Sequence, residues 1–298
     1  MSAGDVKKRR MPNKLRFLAR IIRHRVGGQI RVCPYCKEPT QLEHLARKKF
    51  ILEVFHCPKC CLIFRWPLDT NAESEHYYQR AYSKSAPYVR LPSEAKLREL
   101  RGCNFTGSPL DRSAEIAIVK TVRPQGRVLD YGCSWGFAVH QFIQSGFSAT
   151  GFEISKPRAK FGREKLGADI VDDFAVLNAM NVCTFDIIYS HQVLKNLADI
   201  RAAFDVMHKL LKPGGLMFHV VPNFAAMLAE NGTRLNWIGE EHPIAPTRDF
   251  FEYALPRSGF QNIRVVSNPF ARNLGLSDPA GNDPAVAESD LLVMATRE

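Results

Sequence analysis

Val128-Leu-Asp-Tyr-Gly-Cys-Ser-Trp-Gly136 is the stretch whose reading decides the fold. Arg127 to Asp130 reads as a short strand, Gly132 to Gly136 as a tight turn, and Phe137 to Ser145 as a helix. Outward from it, strands and helices alternate. Ala149-Thr-Gly-Phe-Glu153 is a second strand, followed by a basic helix from Pro157. Ala168 to Val171 reads as a third strand and Phe185 to Tyr189 as a fourth. A helix over Ala198 to Leu211 stops at Lys212-Pro-Gly-Gly215, and Leu216 to Val221 is a fifth strand. Ile263 to Val266 and Leu291 to Ala295 read as two more. Such alternation implies an α/β architecture, a largely parallel sheet with helices on both faces.

Three chemistries use a strand, a tight turn and a helix. A nicotinamide site wants G-x-G-x-x-G, and this turn lacks that spacing. A serine hydrolase wants G-x-S-x-G, which Gly132-Cys-Ser-Trp-Gly136 matches literally, with Ser134 as nucleophile. The hydrolase elbow, however, follows strands that build an oxyanion loop, and none precede it here. The third reading is S-adenosylmethionine (SAM) binding. Asp130 ends the first strand, and Gly132 and Gly136 let the loop pass beneath the amino-acid part of the cofactor. Glu153 ends the second strand, where the two oxygens of one carboxylate suit a ribose diol. Asp172 or Asp173, after the third strand, would meet the adenine amino group.

Upstream, Cys33-Pro-Tyr-Cys36 and Cys57-Pro-Lys-Cys60 form the pattern C-x2-C-x20-C-x2-C. Two knuckles at that spacing offer four thiolates to one tetrahedral Zn²⁺, a closed and therefore structural site. A ribbon over residues 31–68 has too little core to fold alone, so metal supplies its stability. Cys61 stands where a knuckle usually has glycine and reads as a spectator. Cys103, Cys133 and Cys183 read as small apolar residues.

The chain has 298 residues, is 45% hydrophobic and 24% charged, and carries a net charge of +11. That composition excludes collagen-like, low-complexity and wholly disordered chains. Residues 1–30 hold nine basic residues against Asp5 alone, so the excess charge describes an arm and not the body. Such an arm suits an anionic partner: a membrane surface, an acidic protein or nucleic acid. Within it, residues 13–26 read as an amphipathic helix whose apolar face is Leu15, Leu18, Ile22 and Val26, widened by Phe17 and Ile21. Residues 69–110 read as a helical connector rich in tyrosine: Tyr77, Tyr78, Tyr82 and Tyr88. No uninterrupted apolar run approaches the roughly 18 residues of a membrane span. The expected location is cytoplasmic and reducing, with peripheral contact at the inner face of a membrane through the arm.

On these motifs the chain resembles the class I SAM-dependent methyltransferases. The resemblance covers residues 110–298 and rests on Val128 to Gly136, Gly151-Phe-Glu-Ile154, Phe185 to Ile188, Leu211-Lys-Pro-Gly-Gly215 and Glu241-His242. The ribbon Cys33 to Pro67 and Tyr77-Tyr78 resemble what precedes this domain in bacterial sugar and secondary-metabolite methyltransferases. The resemblance implies a Rossmann-like seven-stranded sheet whose last strand is antiparallel, over residues 111–298, behind a small zinc ribbon. It implies SAM contacts from Asp130, Tyr131, Gly132, Cys133, Ser134, Gly136, Glu153, Ile154, Asp172 and Asp173. Where the family reads V-L-E-H-L, this chain reads Val193-Leu-Lys-Asn-Leu197, so the role of that Glu-His pair does not carry over.

Methyl transfer to oxygen or nitrogen needs alignment and often a base near neutral pH. His242 is the expected base, and His191 the expected cofactor-side or substrate contact. Tyr77, Tyr78, Trp237 and Phe250 are candidates for an acceptor pocket or, equally, for core. The expected activity is methyl transfer to a small-molecule or glycan acceptor in surface-polysaccharide or secondary-metabolite synthesis. The alternatives are an RNA methyltransferase and a non-catalytic ribbon protein with a decayed domain. Oligomeric state is not legible.

Overall fold

Val128 and Leu129 are fully buried on opposite faces of one strand, and that strand is an interior strand of the larger sheet. The computed structural model describes residues 13–38, 41–48, 51–80, 90–225, 235, 237–267 and 290–298. Residues 1–12 of the basic arm, Phe50, Tyr82 and Tyr88 lie outside them.

The chain begins with α1 (Asn13–Val26), β1 (Glu43–Lys48), β2 (Leu52–His56), β3 (Ile63–Trp66), α2 (Asn71–Arg80) and α3 (Glu94–Gly102). The sheet domain follows with α4 (Ser113–Val122), β4 (Arg127–Tyr131), α5 (Phe137–Gln144), β5 (Ser148–Phe152), α6 (Lys156–Phe161), β6 (Ile170–Val171), α7 (Phe174–Ala179) and β7 (Phe185–His191). It closes with α8 (Ile200–Leu210), β8 (Leu211–Pro222), β9 (Ile244–Ala245), α9 (Arg248–Ala254), β10 (Phe260–Ser267) and β11 (Asp290–Arg297).

Seven strands lie in the order β10-β11-β8-β7-β4-β5-β6. β6, β5, β4, β7 and β8 run parallel, and β11, the last in the chain, enters antiparallel between β8 and β10. This is the expected sheet. Alternate residues of the parallel strands feed two cores, as strands covered on both faces must. One core holds Leu129, Ile188 and Met217 against α8, α9 and the ribbon. The other holds Val128, Ile187 and Phe218 against α3, α4 and α5. α8 shows why a helix forms there: Ile200, Ala203, Phe204, Met207 and Leu210 recur at helical spacing, and Asp199 caps its start through Ala202 N.

Two boundaries differ from the sequence reading. Lys212-Pro-Gly-Gly215 does not separate helix from strand, because β8 begins at Leu211. The β7–β8 register jumps from Phe185↔Leu211 to Ile187↔Leu216, so the four residues form a bulge inside the strand. The third strand shrinks to Ile170–Val171, an edge with one neighbour.

The ribbon strands β1, β2 and β3 are antiparallel, and β3 takes β9 as its outer partner through Phe64↔Ile244 and Ile63↔Ala245. The ribbon sheet is therefore completed by a strand 180 residues further on in the chain. Tyr35, between the first two cysteines, packs edge-on against Phe250 and donates its hydroxyl to the Ala254 carbonyl at 2.9 Å.

α1 has the expected bounds, but its apolar face is divided. Ile21 is buried and Phe17 half-buried against the ribbon side, whereas Leu15, Ile22 and Val26 face solvent. Ion pairs decide the orientation. Arg20 reaches Asp69 at 2.7 Å and Glu240 at 3.2 Å, His24 meets Glu73 at 2.7 Å, and Arg25 meets Glu53 at 3.3 Å.

Candidate active site

The loop after β4 is shaped by backbone conformations that side chains resist. Gly132 and Gly136 have φ of +86° and +81°. A Cβ on Gly132 would sit inside the Val193 side chain. Gly132 N and Cys133 N both donate to the Phe152 carbonyl, at 2.8 and 2.9 Å, which pins the turn over the end of β5. Ser134 also has positive φ, +54°, a left-handed residue that carries a side chain. Its hydroxyl accepts from the buried Arg158 at 2.7 Å. Arg158, and not a histidine, is its partner, so the hydrolase reading of Ser134 finds no support.

Glu153 lies just beyond β5 and holds the same loop. Its carboxylate accepts from Ser134 N at 3.0 Å and from Ser155 N at 2.7 Å. Each oxygen keeps a second lone pair for a ligand hydroxyl. Burial raises its pKa to about 7, opposed by the two backbone donors and by Arg158. Asp130 is also buried, and burial raises its pKa to about 8; Glu153 and Glu115 add to the rise, while Arg112 opposes it.

Glu115 on α4 is a third buried acid. The Tyr189 hydroxyl donates to it, His191 Nδ1 lies 3.2 Å away, and Arg112 Nε lies 3.9 Å away. Burial pushes its pKa up, but His191, Arg112 and Tyr189 outweigh that and hold it below the usual value. Sequence reading missed Glu115 because nothing in a helix marks one acid among apolar neighbours as facing a strand end.

Tyr131 and Cys133 are buried and support the loop from below: Tyr131 packs on Phe152 at 5.1 Å, and Cys133 Sγ fills the space over Gly151. The Ile154 carbonyl accepts from Gln79 of α2 at 2.6 Å, tying the connector to the site. Asp172 pairs with Arg163 at 2.8 Å, and Asp173 caps α7 by accepting from Ala175 N at 2.7 Å. Both acids stand after the third strand as expected, but both already have local partners.

A second cluster gathers after β7 and β8. His242 Nδ1 lies 2.8 Å from Asn196 Oδ1, and its ring stacks on Trp237 at 6.2 Å and 13°. Asn196 Nδ2 donates to the Gln192 carbonyl at 3.3 Å. Lys195 Nζ donates to Gln192 Oε1 at 2.7 Å, and Gln192 Nε2 donates to Asp290 Oδ1 at 3.0 Å. Tyr77 donates to Glu241 at 3.0 Å. Burial and the Lys195 charge lower the pKa of His242 to about 3. Burial lowers that of Lys195 to about 8, with Asp290 and Glu241 opposing. Asp290 Oδ2 is buried with no hydrogen-bond partner among the described residues. Phe250, by contrast, is fully buried with Tyr35, Phe204 and Phe251, so it is core.

Both clusters stand at the carboxyl ends of parallel strands, where open α/β sheets bind ligands. The chemistry of the donor set fits SAM. Buried acids would answer the sulfonium and ammonium charges, a carboxylate with free lone pairs would answer the ribose, and a glycine turn would let backbone approach.

The ribbon cysteines form a third cluster. All four Sγ atoms lie within 4.8 Å of one another. Cys33 and Cys60 are 3.5 Å apart, and Cys36 and Cys57 are 3.9 Å apart. A disulfide needs about 2.05 Å. A tetrahedron with Zn–S arms of about 2.3 Å has edges of about 3.8 Å, so the set fits zinc. Cys61, at φ +59°, is not among the four.

Fold and site together define a class I SAM-dependent methyltransferase. The chain matches the family described as "Methyltransferase domain" over residues 96–265, more than half its length, and belongs to that family. It is 30% identical over 180 residues to the ubiquinone biosynthesis O-methyltransferase of Rhizobium leguminosarum bv. trifolii, covering 53% of this chain and 70% of that protein. It is 28% identical over 98 residues to the same-named protein of Pseudomonas aeruginosa (strain LESB58), covering 31% of this chain and only 42% of that one. The PH0226 protein of Pyrococcus horikoshii shares the fold at a TM-score of 0.50 and 16% identity, over 74% of this chain and 99% of that one.

Proposed function

We propose that the chain methylates a hydroxyl of a small, ring-bearing acceptor, with His242 as the base. The observation that carries this reading is the hydrogen-bonded pair of His242 and Asn196. Asn196 gives an Nδ2 proton to the Gln192 carbonyl, so its Oδ1 faces the imidazole. An amide oxygen only accepts, so His242 Nδ1 carries the proton and Nε2 keeps its lone pair. Burial keeps the ring neutral but weakens it as a base, so it takes the proton only as the acceptor's oxygen loses it during methyl transfer and not beforehand; Trp237 holds its plane. Asn196 is thus a positioning residue, and the departure from V-L-E-H-L replaces one device with another.

When bound, SAM supplies an electrophilic methyl on a sulfonium. Asp130, Glu115 and Glu153 would hold the cofactor by charge and by hydrogen bonding, and the glycine turn would let it approach the backbone. His242 Nε2 takes the acceptor's proton as its oxygen attacks. Trp237, 46% exposed, offers a face on which an acceptor ring stacks. Both phenols and sugars present such rings. The Rhizobium and Pseudomonas relatives are named for an O-methylation in ubiquinone synthesis, which supports a hydroxyl acceptor. The polysaccharide or secondary-metabolite setting rests on the ribbon resemblance alone. An RNA acceptor is disfavoured, because Arg20, Arg23 and Arg25 of α1 are engaged in ion pairs. We further propose that Cys33, Cys36, Cys57 and Cys60 hold a structural Zn²⁺.

The test is transfer from methyl-labelled SAM into an extract lacking this protein, separated into lipid-soluble phenols, glycans, RNA and protein. Label in either small-molecule fraction, lost in His242→Ala with SAM affinity intact, supports the reading. Label in RNA or protein overturns it.

A further inference from the structure

A helix on a protein surface ordinarily buries its apolar stripe and leaves its charges in water. α1 does so only in part, docking Phe17 and Ile21 while a second row of aliphatic side chains stays in water. At about 100° per residue, Leu15, Ile22 and Val26 fall within an arc of about 40° on one side of the helix. They are 49%, 45% and 84% exposed, and the exposed Ala19 lies in the same stripe. Ile30, just past the Gly27-Gly28 turn, is 75% exposed. The opposite side docks: Ile21 is buried, Arg20 and His24 meet Asp69, Glu240 and Glu73, and the guanidiniums of Arg20 and Arg65 lie over the Phe17 ring. The ion pairs therefore fix which side faces out, and the side they turn outward is aliphatic. By the same helical arithmetic, Arg16 and Arg23 border the stripe on one edge and Arg25 on the other.

We propose that this outward stripe is a docking surface for an anionic lipid bilayer. A row of exposed aliphatic side chains matches an interface-lying helix whose apolar face enters the acyl boundary; Arg23 and Arg25 are held by Glu73 and Glu53, so of the edging arginines it is Arg16, with no ion pair among the described residues, that is left to meet phosphates. Lys7-Lys-Arg-Arg10 immediately precedes it, and the remainder of the chain is near neutral, so the positive charge is concentrated at this end. Charge argues against a second copy as the occupant, because identical stripes would bring two strongly basic arms together. Side-chain type argues against nucleic acid, because Leu15, Ile22 and Val26 offer aliphatic surface and no ring to stack a base. The inference is independent of the acceptor reading; if both hold, docking brings the site to the water–lipid boundary.

The test is cosedimentation of the full chain with vesicles of phosphatidylcholine alone and of phosphatidylcholine mixed with phosphatidylglycerol. Binding to the mixed vesicles at least about tenfold stronger is expected, with a loss of similar size in Ile22→Glu/Val26→Glu. Both side chains are exposed, so thermal unfolding of that variant is expected to match the parent. Leu15→Ser gives a milder second variant. Four results would overturn the proposal: no preference for anionic vesicles; undiminished binding by the double variant; a dimer in light scattering, without lipid, that depends on Ile22 and Val26; or RNA binding that depends on the same two residues.

Discussion

As the proposed base, His242 can act only as its neighbours allow, and those neighbours make testable claims. Asn196→Ala removes the acceptor for Nδ1–H and lets the ring rotate and change tautomer. A fall in kcat of about tenfold or more is expected, with SAM affinity unchanged. Asn196→Asp restores an acceptor and adds a charge that favours imidazolium, so activity returns in part. Equal activity of all three proteins would remove Asn196 from the mechanism. The pH profile carries a second claim. With its pKa near 3, His242 is neutral throughout the working range, so no inflection near 6.5 is expected. Lys195 titrates near 8. Below that pH its ammonium opposes the charge that His242 gains on taking a proton; above it the opposition is gone. The rate should rise through pH 8, and Lys195→Met should flatten the rise. A third claim concerns the acids. Asp130 and Glu153 have raised pKa values, about 8 and 7, so they ionise only as pH climbs through that window. SAM should therefore bind more tightly at pH 8.5 than at pH 6. S-adenosylhomocysteine, which lacks the sulfonium, should gain less in parallel calorimetry.

Among the elements, the β4–α5 loop is the least tolerant. Gly132→Ala would place a Cβ within the Val193 side chain at a backbone conformation that L-residues resist. A cost of at least about 2 kcal/mol is expected, with SAM binding lost. Ser134→Gly relieves a positive φ but removes the Arg158 hydrogen bond, so its net effect on the melting temperature should be small. A melting temperature unchanged in Gly132→Ala would show that the loop has room the structure does not give it. α1 illustrates the limit of periodicity. Its length was legible from repeating apolar residues, but the side it buries was not. Ion pairs to Asp69, Glu73 and Glu240, 49 to 220 positions away, set that orientation, and no local pattern encodes them.

At the scale of the molecule, ribbon and sheet share a core. Cys33, Cys36, Cys57 and Cys60 belong to the same buried cluster as Phe204, Phe250 and Val293, and β9 completes the ribbon sheet. Removing the proposed zinc should therefore weaken the whole chain and not the ribbon alone. Treatment with a strong chelator, or Cys57→Ser, should lower the temperature of one cooperative transition seen alike by circular dichroism and tryptophan fluorescence. Two separated transitions, the upper one unmoved, would show the units to be independent.

The sequence by itself determined the seven-strand plan, the glycine turn, the acids at the ends of β4 and β5, and the four-cysteine cluster. These rest on local signals: alternation of period, glycine where φ must be positive, and fixed spacing of ligands. Tertiary structure alone decided that Glu115 faces His191, that Asn196 grips His242, that Phe250 is core, and that the aliphatic side of α1 looks outward. Each is a contact between residues far apart in the chain, and burial, charge and hydrogen-bond direction are set only once the sheet brings them together.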